Sequence, residues 1–280
     1  MPIHNQLHLW GDRFFYITEA IQSGFTARAA AALLASATGR PFTLVALDGS
    51  VLRCTAALVA PQIPRRLDAD GCGLLSLNVD PASDTFRRLA ARLGGRGILP
   101  LDAAAFGAQR DVFEGALHGQ LDSASLRRLS SAMLEAAGGR AAPRPRSDPR
   151  VELVLQCVRD AGIHGESVAL GELAAVACLS PGRLTHLFHE QTGLSIRRYL
   201  LWTKIRRTVQ MMASDMPLTD IALAGGFTDG AHMSRTFQRC FGLTPPFLAD
   251  ASRVDVFVDD GAQTAWHPAR APASAVRRGT

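Results

Sequence analysis

The spacing of hydrophobic residues changes along the chain, and in the first part it is typical of strands. Between residues 14 and 80, short apolar runs alternate with turn residues. Asp48-Gly49 is a dipeptide that favours a tight hairpin turn, and an apolar run lies on either side of it. The runs predicted as strands are residues 43–47, 51–55, 56–60 and 74–79. The pattern predicts a small antiparallel β-domain over residues 1–82.

After residue 83 the apolar residues recur at intervals of three and four, which places them on one face of a helix. The positions with this spacing are Phe86, Leu89 and Leu93, then residues 106–117, then Leu126, Leu129, Met133 and Leu134. Two or three helices are therefore predicted over residues 83–139.

A linker and a tail enclose the rest of the chain. Residues 138–149 contain three prolines and two glycines, a composition that sustains neither a helix nor a central strand. We place the linker at residues 140–150. Residues 251–280 show little amphipathic pattern, and we expect them to form a disordered tail.

Between linker and tail, residues 168–177 are predicted as a short helix, followed by a turn and a second helix. Ser180 and Pro181 are a favourable N-cap and first residue for that second helix, and Leu184 and Phe188 share its apolar face. The opposite face carries small and polar residues: Gly182, Thr185, His186 and His189. Such a helix can enter a major groove, although a surface helix without a partner has the same pattern.

The same unit recurs 49 residues later. FHEQTGLS at residues 188–195 corresponds to FQRCFGLT at residues 237–244. The matching helix ends are the N-caps Ser180 and Asp229 and the glycine stops Gly193 and Gly242. Chance does not readily produce two such copies, so we predict two helix-turn-helix units within residues 151–250.

One continuous helix over residues 195–214 is predicted to join the two units. Twenty residues at about 1.5 Å each give about 30 Å. This length is close to the about 34 Å between successive major grooves on one side of a duplex. The geometry therefore predicts double-stranded DNA as the partner.

Charge adds less to this prediction than the repeat does. The 280 residues carry 30 Lys and Arg against 25 Asp and Glu, a net charge of +5. One local cluster could contact phosphates, although each member could equally form an ion pair within the protein: Arg197, Arg198, Lys204, Arg206 and Arg207.

Other classes of protein find little support. No apolar run reaches the about 18 residues of a membrane span, and no secretion signal is visible, so we expect a cytoplasmic protein without a membrane partner. The five cysteines form no CxxC pair, so we expect no metal and no cofactor. The sequence also lacks a phosphate-binding glycine loop and a GxSxG motif, and we expect no enzymatic activity.

The segment GELAAVACLSPGRLTHLFHEQTGLSIRRYLLWTKIRR, followed by LTDIALAGGFTDGAHMSRTFQRCFGLTP, resembles the DNA-binding domain of the AraC/XylS family of bacterial regulators. The resemblance covers about residues 151–250. It implies two recognition helices that enter adjacent major grooves on one DNA face. It also implies regulation of transcription, commonly activation, through contact with RNA polymerase.

The resemblance assigns contact residues in both recognition helices. The first would present Gly182, Arg183, Thr185, His186 and His189, and the second Gly230, Ala231, His232, Arg235 and Gln238. Arg235 is the strongest candidate base reader because arginine binds guanine through two hydrogen bonds, and a salt bridge to a neighbouring helix is its alternative. Gly182, Gly230 and Ala231 have no side chain that hydrogen-bonds a base, so we expect backbone contacts and DNA shape to contribute.

Residues 42–81 resemble the cupin-like N-terminal domains with which members of this family sense small molecules or dimerise. The resemblance implies an α+β chain: a cupin-like β-barrel sensor domain, a helical dimerisation region over residues 83–139, and an all-α domain with two helix-turn-helix units. An N-terminal domain that binds no ligand, and forms a homodimer or binds another protein, stays open. A cupin-type enzyme is a remote alternative, because the β-region has no cluster of metal-ligand spacing.

Five arginines of the β-region could bind an acidic small-molecule effector or lie on a solvated face: Arg28, Arg40, Arg53, Arg65 and Arg66. The sequence does not decide between these two possibilities.

Overall fold

The computed structural model of the chain describes residues 5–139, 147–164, 168–214 and 216–259. The strands in these ranges are β1 (Asn5–Trp10), β2 (Arg13–Thr18), β3 (Ala31–Ser36), β4 (Phe42–Ala46), β5 (Val51–Cys54), β6 (Ala56–Val59), β7 (Arg65–Asp68), β8 (Leu74–Val79), β9 (Ile98–Pro100) and β10 (Val254–Asp259). The helices are α1 (Asp84–Leu93), α2 (Arg110–Leu117), α3 (Ser123–Gly138), α4 (Pro149–His164), α5 (Leu170–Val176), α6 (Pro181–Thr192), α7 (Ile196–Met211), α8 (Leu218–Ala224), α9 (Gly230–Phe241) and α10 (Pro245–Leu248), with a 3-10 helix at Ala103–Gln109.

The strands form two sheets. A seven-stranded sheet has the order β10-β1-β2-β8-β3-β6-β9, and a three-stranded sheet has the order β5-β4-β7. Neighbouring strands are antiparallel except for β10, which is parallel to β1. Phe42 and Leu44 of the smaller sheet pack with Leu34 and Val59 of the larger one. The β-rich N-terminal fold is confirmed, with two packed open sheets, rather than a closed barrel, in the described ranges.

Four strands, β4, β5, β6 and β8, lie where the apolar runs predict them. Gly49, with a φ of 83°, forms the turn between β4 and β5, since this left-handed conformation suits glycine. The predicted strands do not include β1 and β3, although all six residues of each strand are buried, as they are in β8. In β1, the polar residues Asn5, Gln6 and His8 interrupt the kind of apolar run that predicts the other strands.

Helices α1–α3 cover the face of the larger sheet that is opposite the smaller sheet. Phe15, Leu33 and Leu77 of the sheet share a core with Leu89 of α1 and Met133 of α3. The predicted helical region over residues 83–139 therefore shares its core with the β-domain, and it also contributes the edge strand β9.

The capping residues of the two predicted helix-turn-helix units are confirmed. Ser180 and Asp229 are the N-caps of α6 and α9, and Gly193 and Gly242 end these helices in the left-handed conformation. The connecting helix is shorter than predicted, because α7 covers Ile196–Met211 and residues 212–214 form a turn. Its sixteen residues correspond to about 24 Å instead of about 30 Å.

Strand β10 corrects the prediction of a disordered tail over residues 251–280. It pairs with β1 in register from Asn5–Val254 to Trp10–Asp259. The sequence prediction misses a local signal for this strand, because Val254, Val256 and Val258 occupy every second position of it. The rest of the tail, residues 260–280, and residues 140–146 of the predicted linker lie outside the described residues.

The C-terminal helical domain packs directly on the larger sheet. Side chains alternate along β2, so that Phe15 and Ile17 face α1–α3 while Phe14 and Tyr16 face the C-terminal helices. Phe14 meets Trp202 of α7 edge-on, with 5.0 Å between ring centroids. The two halves of the chain therefore share a continuous apolar interface.

Candidate nucleic-acid interface

Helix α6 presents the first candidate contact surface. Ser180 Oγ accepts a hydrogen bond from the backbone N–H of Arg183, and Pro181 occupies the first helical position. Leu184 and Phe188 bury the inner face of the helix. All the residues predicted to contact DNA from this helix are exposed: Gly182, Arg183, Thr185, His186 and His189.

Helix α9 has the same construction. The Asp229 carboxylate accepts a hydrogen bond from the His232 backbone N–H at 2.6 Å, while Met233 and Phe237 bury the inner face. Among the residues predicted to contact DNA, Ala231, Arg235 and Gln238 are exposed, whereas Gly230 and His232 are half-buried. The His232 ring packs edge-on against Phe227 at 5.4 Å between centroids, so part of this side chain serves the fold.

The Arg235 side chain extends into solvent. Within the described residues no hydrogen bond or ion pair involves its guanidinium, so the salt bridge considered as an alternative is not found there. An unengaged guanidinium can present two donors to the O6 and N7 of guanine.

The turn of the second unit is held closely against α7. A Cβ on Gly225 would lie 2.3 Å from Thr208 Oγ1, so only glycine allows this approach. The Lys204 ammonium donates a hydrogen bond to the Gly226 carbonyl at 2.8 Å. Lys204, a predicted phosphate contact, therefore also fixes the turn.

A basic concavity of about 680 Å³ lies between the two units. Helix α7 contributes Arg197, Arg198, Lys204 and Arg207, and α9 contributes Arg239. No carboxylate is found among the described residues that line it. The sequence prediction misses Arg239, although it lies one helical turn after Arg235 in α9.

Two predicted phosphate contacts are engaged with the N-terminal domain. Arg206 is only 12% exposed: it donates to the Trp10 carbonyl at 2.8 Å, and its guanidinium lies 5.5 Å from the centroid of the Phe14 ring. This burial corrects the prediction of Arg206 as a phosphate contact. The sequence contains a signal for the burial, because Arg206 lies one turn after Trp202 on the buried face of α7. Arg198 donates to Gln62 Oε1 across the domain boundary.

The arginines of the β-region fall into two groups. Arg40, Arg53 and Arg66 are exposed, as expected for a solvated face, whereas Arg28 and Arg65 are only 7% and 2% exposed. Among the described side chains, no group of three or more His, Cys, Asp or Glu could hold a metal ion. None of the described helices is both long and apolar enough to span a bilayer.

Comparison with known proteins places the C-terminal helices in a family. A family described as "Helix-turn-helix domain" matches residues 173–248. The Arabinose operon regulatory protein of Escherichia coli is 32% identical over 105 residues, which are 36% of this chain and 35% of that protein. The HTH-type transcriptional activator RhaS of Klebsiella pneumoniae is 32% identical over 100 residues, 35% of each protein. The matched part thus spans about a third of these relatives.

Solved structures resemble the fold of nearly the whole chain. ToxT from Vibrio cholerae O395 gives a TM-score of 0.53 at 12% identity, covering 82% of this chain and 92% of that one. ToxT bound to (E)-4-(8-methylnaphthalen-1-yl)but-3-enoic acid gives 0.50 at 10% identity, covering 90% and 100%. At such identity the likeness is one of fold, a sheet-rich N-terminal region followed by a helical C-terminal region. The family match and these relatives together show that residues 173–248 form a helix-turn-helix domain of the AraC type.

Proposed function

We propose that this chain is a sequence-specific DNA-binding transcriptional regulator, and that it acts as an activator. The observation that carries the proposal is the paired construction of α6 and α9. Each helix buries one face, exposes a polar face and starts at a side-chain cap, and both belong to units joined by α7. The names of the matched relatives, which include an operon regulator and a transcriptional activator, support the same function.

In this proposal α6 and α9 enter adjacent major grooves on one face of the duplex. Arg235 reads a guanine from α9, while Arg183, His186 and His189 offer polar contacts from α6. Phosphates of the intervening backbone lie in the basic concavity, which adds Arg239 to the predicted contacts. Because phosphate contacts carry no sequence information, specificity rests on the exposed faces of the two helices and on DNA shape.

The further partners that we propose follow from the resemblance of the domain to its family. They are RNA polymerase, a second copy of the chain and a small-molecule effector, all met in the cytoplasm. The alternative is an N-terminal domain that binds no small molecule and acts through dimerisation or a protein partner. Titration with candidate ligands separates these two versions of the regulator.

Binding-site selection with the purified full chain at physiological salt tests the proposal. We expect an enriched motif with two elements about one helical turn, or about 10 base pairs, apart. The Arg53→Ala variant removes an exposed arginine of β5, outside the two helix-turn-helix units, and should select the same motif as the unaltered chain. Selection of no preferred sequence would contradict the proposal.

Activation needs a separate measurement. Transcription by purified RNA polymerase from a promoter that carries the selected site should increase when the chain is added. A decrease in the transcript would agree with a DNA-binding regulator but would contradict the proposal that it activates transcription.

A further inference from the structure

The basic concavity between the two helix-turn-helix units meets the N-terminal domain at two of its arginines. Arg198 lines it from α7 and Arg239 from α9. The Ala27 backbone N–H donates to the Arg239 carbonyl at 3.1 Å, and Arg198 donates to Gln62 Oε1. The first contact holds the end of a recognition helix, whereas the second holds a cationic side chain of the surface that we assign to DNA.

Gln62 has an unusual backbone conformation. It lies in the turn between β6 and β7, directly after Pro61, and has a φ of 61°. This left-handed region favours glycine or asparagine, and a glutamine adopts it at a cost. Since glycine would form the same turn more readily, the backbone gives no reason for a glutamine at this position. Its side-chain contacts supply one.

Both ends of the Gln62 amide are engaged. The backbone N–H and Nε2 of this residue donate to the Arg28 carbonyl, just before β3, at 2.8 and 3.2 Å. With Nε2 bonded to the N-terminal domain, Oε1 accepts the hydrogen bond from Nη1 of Arg198. The amide is therefore fixed on one domain and presents its acceptor to the connecting helix of the other.

Arg198 keeps most of its donors and all of its charge. A guanidinium carries several N–H groups, and in the described part of the chain only Nη1 has a hydrogen-bond acceptor. None of the ion pairs found there includes this side chain, which is exposed at the concavity. An amide acceptor, unlike a carboxylate, does not neutralise the arginine, so the charge stays available to a phosphate.

We propose that Gln62 is a positioning residue, which orients Arg198 toward a backbone phosphate of the bound DNA. Nη1 stays bonded to Gln62 while the remaining N–H groups of the guanidinium bind phosphate oxygens. A long side chain loses rotamer freedom when it binds, and one that is already held loses less. The N-terminal domain thus completes a phosphate site of the C-terminal domain. This inference deepens the proposed function and rests on it, because it assigns a contact within the same DNA-binding surface.

The variant Gln62→Gly tests the orientation of Arg198, since glycine suits the turn and removes the amide. Fluorescence anisotropy of the full chain measures its affinity for the selected site over a range of salt concentrations. We expect binding to weaken about threefold to tenfold. The slope of log affinity against log salt should not change, because Arg198 still reaches the phosphate. A duplex of unrelated sequence should show the same loss, since a phosphate contact reads no sequence.

A double-mutant cycle with Arg198→Ala separates positioning from a merely structural role. Arg198→Ala removes the phosphate contact itself and should lower the magnitude of the salt slope by about 0.9. In this background Gln62→Gly should have no further effect on DNA affinity. An equal loss from Gln62→Gly with and without Arg198 would overturn the inference. Gln120→Gly, which removes an exposed glutamine from the loop after α2, is the matched control and should leave the affinity unchanged.

The sign of the effect is decisive. Unchanged affinity of a folded Gln62→Gly chain would overturn the inference. Tighter binding would also overturn it, because Gln62 would then withhold Arg198 from DNA. If the glycine variant does not fold, Gln62→Asn takes its place. Asparagine tolerates the left-handed conformation and keeps an amide, but it is one methylene shorter, so it should lose Arg198 and weaken binding by the same factor.

The two duplexes keep the inference separable from the proposed function. A chain that selects a DNA motif but does not respond to the changes at Gln62 retains the proposed function and loses the inference. A chain that selects no motif loses the proposed function. Its binding to the duplex of unrelated sequence, with and without Gln62→Gly and Arg198→Ala, still decides whether Gln62 acts through Arg198.

Discussion

Replacing Asp80 by alanine should weaken the attachment of the C-terminal domain to the larger sheet. Asp80 is buried just after β8, and its Oδ2 accepts a hydrogen bond from Trp202 Nε1 at 3.1 Å. The same oxygen lies 3.9 Å from Nη1 of Arg206. Its Oδ1 accepts a hydrogen bond from the Ala82 backbone N–H at 2.8 Å, which shapes the turn before α1.

The cost follows from the groups left without a partner. Trp202 is fully buried, and a buried N–H without an acceptor costs about 1–3 kcal/mol. The lost hydrogen bond to Ala82 adds about 0.5–1.5 kcal/mol. Arg206 keeps its bond to the Trp10 carbonyl and its contact with Phe14, but its largely buried guanidinium loses the carboxylate at 3.9 Å from Nη1, which adds to the loss. We expect Asp80→Ala to lower the free energy of unfolding by at least about 2 kcal/mol.

Urea unfolding of the full chain, followed by far-UV circular dichroism, measures this loss. Asp70→Ala is the control, because this exposed carboxylate should change the free energy of unfolding by less than about 0.5 kcal/mol. A double-mutant cycle with Trp202→Phe isolates the hydrogen bond, with an expected coupling of about 1 kcal/mol. An Asp80→Ala chain as stable as the control, or fully additive effects in the cycle, would refute this account of the domain interface.

Three further predictions concern the stability of the sheet edge and of the second unit. A chain ending at Arg253 should be about 2–4 kcal/mol less stable to urea than one ending at Asp259, because it loses β10 and its buried valine; equal stability would contradict the strand. Burial lowers the pKa of His8 from 6.5 to about 4, so the unfolded chain binds the proton first and stability falls as pH drops from about 6.5 to 4. This His8 effect amounts to about 3 kcal/mol, and His8→Phe should remove it; an unchanged pH dependence of urea unfolding would speak against it. Gly225→Ala should lower the free energy of unfolding by about 1–3 kcal/mol, and adding Thr208→Ala should recover part of this loss. A Gly225→Ala chain as stable as the unaltered chain would contradict the close approach of the turn to α7.

The helix-turn-helix units could be predicted because their signals are local. An N-cap such as Ser180 or Asp229 acts on the backbone two or three residues later, and a glycine such as Gly193 ends its own helix. The duplication then strengthens each local signal. The length of α7 is predicted less well, because no glycine marks the end of this helix.

Strands β1 and β10 of the larger sheet are missing from the prediction for different reasons. All six residues of β1 are buried, but Asn5, Gln6 and His8 make it unlike the apolar runs that predict the other strands. β10 is held by β1, with Phe257 stacked on His8 at 4.5 Å between ring centroids. The pairing of the two strands cannot be read from either segment alone, but valine at every second position of β10 is a local signal for a strand.

The burial of Arg28 and Arg65 also lies beyond local analysis. In the sequence these arginines do not differ from Arg66, which is exposed. Arg28 is buried because the end of α9 covers it, with the Ala27 backbone N–H donating to the Arg239 carbonyl at 3.1 Å. The docking of one domain on the other therefore creates the environment of Arg28.

The central claim, that two recognition helices contact separate elements of one DNA site, is tested most directly through Arg235. The measurement is the affinity of the unaltered chain and of Arg235→Ala for the selected site, with each base pair of both elements substituted in turn. The account predicts that Arg235→Ala loses about 1–3 kcal/mol of discrimination at one guanine of one element and keeps its discrimination at the other element. Full discrimination by Arg235→Ala at both elements, or an equal loss of affinity for every sequence, would contradict it.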